Sequence, residues 1–282
     1  MTRPRRSRWC GALTATVLTA AVLSPLTGCA QSVDPIERLG KKAAQKVRPR
    51  HRTAEQTARR WGLKAPLAPA PRPPARSATP AAVHSDGPSP PPVLDRVRTH
   101  DRVVFLTYDD AAEHDPRFVD MVRELRLPVS MFLTDGGRTP GDARLAGLRS
   151  AGAAVQNLTL DHTPLRGRPF AEQRAQICEQ QDRLANRLGH RPRLLRPPDG
   201  GYDRTTLRAA ADCGVSAVVL WRAATTADDL TYTHGPAQLR PGDIVLIGSD
   251  TPTAPTLHER TASLLRRAQS RGLTVGRLED YL

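Results

Sequence analysis

Aromatic side chains are scarce: three Trp, four Tyr and four Phe make up 4% of 282 residues. The basic stretch beyond residue 29 lacks the interleaved aromatics that stack on bases, and it carries no recognisable nucleic-acid motif. Its charge therefore does not indicate DNA or RNA binding. Acidic residues are sparse in the same region. Residues 1–100 hold 18 Lys and Arg against 5 Asp and Glu, whereas residues 101–282 hold 24 against 23. The net charge of +14 is thus a property of the N-terminal third, and the remainder is close to neutral. The apolar run Gly11–Leu23 is too short to span a bilayer comfortably.

That run has the length of a signal-peptide core. Arg3, Arg5, Arg6 and Arg8 precede it, as in the positive segment of an export signal. It leads to Leu26-Thr27-Gly28-Cys29, which resembles a bacterial lipobox. The resemblance implies that residues 1–28 are removed and that Cys29 is acylated. The protein is then exported and lipid-anchored to the outer face of the cell membrane. Of the four cysteines, Cys10 falls in the removed segment and Cys29 carries lipid, which leaves Cys178 and Cys213. An oxidising compartment allows these two to pair.

Residues 29–100 read as a basic, disordered tether. A short helix is expected at about 53–62, and ten prolines between Pro66 and Pro92 make a semi-rigid spacer. From residue 101 the pattern changes to apolar runs alternating with helical stretches. Strands are expected at 103–108, 129–134, 154–159, 193–196, 216–221, 244–247 and 274–278, with helices near 116–126, 141–150, 170–188, 203–213 and 256–271. Gly152, Gly189, Gly214 and Gly272 stand where helices end. Such alternation predicts an α/β fold with a parallel sheet, open or closed into a barrel, and an active site at the C-terminal ends of the strands. Asp109 and Asp110 stand at such an end. Two adjacent acids there serve either a metal and a proton transfer or simply a turn or helix cap.

Several segments resemble, in order, the motifs of the polysaccharide deacetylases (the NodB homology domain, family four of the carbohydrate esterases). Thr107-Tyr108-Asp109-Asp110-Ala111 resembles Thr-Phe-Asp-Asp-Gly, and Val129–Thr134 resembles the second strand. Gln156-Asn157-Leu158-Thr159-Leu160-Asp161-His162 is similar to Gly-Asn-His-Thr-x-x-His, Arg196-Pro197-Pro198-Asp199-Gly200 to Arg-Pro-Pro-Tyr-Gly, and Gly242–Ile247 to the last strand motif. The resemblance implies an irregular, partly open (β/α) barrel of about seven parallel strands over residues 101–282. It also implies hydrolysis of N-acetyl groups on cell-wall or chitin-like glycans with a divalent metal, usually zinc.

Carried over by position, Asp109 is the catalytic base, Arg196 orients it, and Asp110 and His162 are metal ligands. The other metal-ligand His falls at Leu158, the general-acid His at Gly248, and the acidic partner of Arg196 near Ala224. Asp228 and Asp229 are candidate substitutes for that acid. Asp161, His114 and His234 are candidate recruits to the metal. Two protein ligands predict weak zinc binding and reduced or absent activity. The alternatives are an inactive glycan-binding module and an envelope protein-interaction module. Tyr202, Trp221 and Tyr232 are candidates for a sugar groove.

Overall fold

A computed structural model describes residues 52–72, 89–110, 115–135, 142–226, 229–248 and 255–282. The proposed signal segment and Cys29 lie outside the described residues. Among the described residues, no helix is long and apolar enough to cross a membrane.

The elements in chain order are α1 (Ala54–Arg60), β1 (Val93–Leu94), β2 (Val103–Asp109), α2 (Pro116–Leu125), β3 (Val129–Leu133), α3 (Asp142–Ser150) and β4 (Ala154–Asn157). Then follow α4 (Phe170–Leu188), β5 (Leu194–Leu195), α5 (Arg204–Asp212), β6 (Ala217–Val219), β7 (Ala223–Thr225), β8 (Leu230–Tyr232), β9 (Ile244–Ile247), α6 (Leu257–Ser270) and β10 (Thr274–Val275). Short 3₁₀ turns occupy Pro198–Gly200 and Leu278–Asp280. The sheet runs β1-β6-β5-β4-β3-β2-β9-β7-β8, with β10 pairing the start of β2. All pairs are parallel except β7 with β8. It curls into a partly open barrel. Residues 95–97 bridge the gap between β1 and β9: the Val97 N–H donates to the Gly242 carbonyl and the Ile244 N–H to that of Asp95.

Strand alternation sorts the side chains. On β2, Val103 and Phe105 point into the barrel, where they pack with Phe132, Leu158, Leu194, Val219, Ile244, Leu278 and Tyr281. Val104, Leu106 and Tyr108 point outward into the layer formed with α1, α2, α3 and α6. Helices α4 and α5 cover Leu195 and Val218, and a Cys178–Cys213 disulfide joins these two helices with Cα atoms 5.0 Å apart. Helix starts follow the sequence. Asp115 caps α2 ahead of Pro116, and reciprocal capping boxes open α1 (Thr53, Gln56), α5 (Asp203, Thr206) and α6 (Thr256, Glu259).

Three expectations change. The ordered body begins well before residue 101: Ala58, Trp61 and Leu63 are buried in the outer core, and β1 contributes a stave. The tether boundary at 100 came from composition, which hides a single apolar stripe among basic residues. The strand expected over 274–278 stops at Val275. There Gly276 passes so close to Phe105 that a Cβ would lie 3.1 Å from its ring, and the chain turns into a 3₁₀ turn that closes the barrel floor. Finally, among the described residues the sheet has ten strands rather than about seven, because β1 and the β7–β8 hairpin are additional.

Candidate active site

The C-terminal ends of β2, β3, β5 and β9 converge on Asp109. The inward series on β2 runs Val103, Phe105, Thr107, Asp109, so the barrel interior changes from apolar to polar along one strand. Arg196, just past β5, is fully buried and reaches across this interior. It donates to Asp109 Oδ1 (2.7 Å), to Thr107 Oγ1 (2.8 Å) and to the Val219 carbonyl (3.2 Å). Its guanidinium carbon lies 4.1 Å from the Phe132 ring centroid and 5.4 Å from that of Trp221. Thr107 in turn donates to the Val245 carbonyl (2.9 Å). The Arg196 charge is therefore held by one carboxylate, hydroxyl and carbonyl oxygens, and two aromatic faces.

Burial pushes the Asp109 carboxyl above the ordinary carboxylate range. The charge and hydrogen bond of Arg196, and the nearby His162, oppose that rise without reversing it. Burial likewise pushes the Arg196 guanidinium below its usual value, against the pull of Asp109. The Asp109 side chain keeps 25% of its surface exposed, so it faces the mouth of the barrel.

Asp110 is held separately. The Thr134 N–H donates to Oδ1 (2.9 Å) and the Thr134 hydroxyl to Oδ2 (2.6 Å). Each oxygen retains a second lone pair, so these bonds orient the carboxylate without blocking it. His162 is exposed at left-handed φ 61°, in the same loop as Thr159 at φ 73°. Leu158 has no exposed surface and packs within the barrel core. Gly248 continues the inward series Ile244, Leu246, Gly248 at the end of β9, and its N–H donates to Thr225 Oγ1 (3.3 Å).

The candidate substitutes lie elsewhere. The Asp161 carboxylate accepts from the Thr163 N–H (2.9 Å) and Gln176 Nε2 (3.1 Å). Asp229 pairs with Arg267 (2.6 Å), so it does not supply the acid for Arg196. His234 pairs with Asp95 beside the start of β9, at the opposite end of the strands. His114 and Asp228 lie outside the described residues. Trp221 stands beside Arg196 and against Gly200. Tyr232 instead stacks on Arg222, 5.0 Å away, and Arg222 is locked to buried Asp243 (Nε to Oδ1, 2.5 Å). Among the described residues, no three His, Cys, Asp or Glu side chains gather where they could hold a metal ion. Two contributors escaped the sequence reading, Thr107 and Thr134. The signal for both was their inward position at a strand end.

The polysaccharide deacetylase family profile matches residues 96–218. An uncharacterized protein of Streptomyces coelicolor, SCO4760, is 59% identical over 193 residues, which cover 68% of this chain and 78% of the relative. The chain belongs to the polysaccharide deacetylase family. Solved structures agree on the polysaccharide deacetylase fold. BA3943 of Bacillus anthracis, described as a pseudoenzyme of carbohydrate esterase family four, superposes with a TM-score of 0.57 at 18% identity, over 68% of this chain and 69% of that one. The Bc1960 peptidoglycan N-acetylglucosamine deacetylase superposes at 0.56 and 21% identity, over 66% and 91%. Both identities are low enough that the likeness concerns the fold alone.

Proposed function

We propose that this is an exported, lipid-anchored polysaccharide deacetylase homologue that engages N-acetylated envelope glycan at the Asp109–Arg196 end of its barrel. In this reading its zinc affinity is weak and its hydrolysis reduced or absent. The observation that carries it is Leu158: the position that matches a metal-ligand His holds a buried aliphatic side chain inside the barrel core. Gly248, at the general-acid position, removes a second participant, and one missing acid–base group lowers rates by about 10²–10⁴-fold. What this chain retains is a carboxylate able to accept a proton (Asp109), a guanidinium fixing its position (Arg196), and an indole beside them (Trp221). The pseudoenzyme of the same fold supports the reading by example, and the peptidoglycan deacetylase supports the choice of glycan.

The test is metal analysis of the purified protein together with acetate release from chitin oligomers and peptidoglycan. We expect less than one zinc per chain, and saturable glycan binding that weakens in Asp110→Ala. Stoichiometric zinc, with acetate release abolished by Asp109→Asn, would overturn it. For the anchor, Cys29→Ala is expected to move the protein from the membrane to the soluble fraction, and unchanged membrane recovery would count against lipidation.

A further inference from the structure

The opposite end of the barrel holds a cavity of about 270 Å³ at the N-terminal ends of β4 and β5. Gln156, His190, Arg193, Arg277 and Glu279 are among its lining residues, and His190 and Arg277 also border a neighbouring cleft. Its polar floor is built. Glu279 Oε1 accepts from the Ser130 hydroxyl (2.8 Å) and Gln156 Nε2 (3.1 Å). Gln156 is itself fixed, since its Oε1 accepts from the N–H groups of Arg193 (3.2 Å) and Leu194 (3.0 Å). The second oxygen, Glu279 Oε2, is buried and has no partner among the described residues. Leaving such an atom unpaired costs about 1–3 kcal/mol.

Around this floor the charge is positive. Arg277 donates to the Gly152 carbonyl (2.9 Å) and Arg193 to Ser216 Oγ (3.3 Å), and among the described residues neither forms an ion pair. Their remaining N–H groups are available to an acceptor in the cavity. Arg191, by contrast, is neutralised by Asp182 (2.5 Å). Burial pushes the Glu279 carboxyl above the ordinary range, against the nearby charge of Arg277. Two guanidinium groups line the cavity, each with N–H groups to spare and each positively charged. The complementary ligand is an acceptor with negative charge.

We propose that the N-terminal end of the barrel is a binding site for an oxyanion, a phosphate or carboxylate group, held by Arg193 and Arg277 with Glu279 at its floor. The cavity admits a small free anion or the anionic group of an envelope polymer. The site lies across the barrel from Asp109 and does not depend on the glycan reading.

The experiment is calorimetric titration of the full-length protein with inorganic phosphate, with acetate and with a polyglycerol phosphate polymer. Histidine ring NMR runs in parallel. Phosphate or acetate is expected to bind and to shift the His190 ring signals while those of His162 stay in place. Affinity should fall at least tenfold in the double variant Arg193→Gln, Arg277→Gln. Glu279→Gln, which removes the carboxyl facing the two arginines, should retain binding. Tighter binding of the polymer than of either free anion would identify an envelope source, and equal binding a free anion. The proposal fails if no anion binds, which would mean a hydrated cavity, or if the double arginine variant binds like the native protein. It also fails if His162 shifts instead of His190, which would place the anion at Arg196.

Discussion

Asp109 sits between two opposed influences, a desolvating barrel mouth and a guanidinium 2.7 Å away. Asp109→Asn keeps the shape but leaves a buried Arg196 without its carboxylate. Hydrogen bonds to charged groups are worth about 1.5–3 kcal/mol, so chemical denaturation should show a loss near 2 kcal/mol, and any acetate release should disappear. A substitution without effect on stability would mean that solvent already screens the pair. Leu158→His addresses the missing ligand. It should raise zinc affinity in a metal titration while lowering stability by about 2 kcal/mol, because a polar ring replaces a fully buried aliphatic chain. Unchanged affinity would show that this position does not face Asp110 and His162. The two acids were legible as a strand-end pair, and their assignment came through the family motifs. The Arg196–Asp109 pair joins residues 87 apart in sequence, which no local pattern reveals. Thr134 is silent in the sequence because a Thr just past a strand is ordinary until the Asp110 carboxylate is known beside it.

At the scale of elements, each of the seven strands expected from an apolar run forms, down to the two-residue Leu194–Leu195 and Thr274–Val275, whereas Val93–Leu94 and the β7–β8 hairpin were not readable. Val93–Leu94 follows a run of prolines. The three-residue strands Ala223–Thr225 and Leu230–Tyr232 have too few alternations to carry a period of two. Helix α5 shows what a readable start is worth. Asp203 accepts from the Gly167 N–H (2.8 Å) and, at its other oxygen, from the Thr206 N–H (2.8 Å). These bonds, that from Gly167 foremost, hold its carboxyl down to about 2, against about 3.9 in an unfolded chain. The sign follows from that depression. The stabilisation is complete above pH of about 5 and fades as pH falls toward 2, because the unfolded state takes up the proton first. Asp203→Ala should cost about 1 kcal/mol at neutral pH and progressively less in acid. A cost independent of pH would assign the effect to packing. Reduction of Cys178–Cys213, which closes a sequence separation of 35, should lower stability by about 3 kcal/mol, read as a drop in the urea midpoint.

For the whole molecule, the barrel is enclosed by pieces from both ends of the described chain. Leu278, Tyr281 and Leu282 seal its floor. The segment 52–72 binds the outer layer: Trp61 Nε1 donates to Glu124 (2.9 Å), Gln269 Nε2 to the Ala65 carbonyl (2.8 Å), and the Thr274 hydroxyl to that of Ala68. This arrangement sets how the molecule responds to tension. A pull on the chain from its N-terminal side meets α1 and these attachments before it reaches Val93, so the seven staves from β1 to β9 bear no load until that strap has peeled away. Single-molecule stretching from the N-terminus should show a small early extension, about 70 Å for these residues at full reach, ahead of the main rupture. Trp61→Ala should weaken that first event and leave the second unchanged. A protein moored by its N-terminus would thus carry its own shock absorber, with the site at Asp109 behind it.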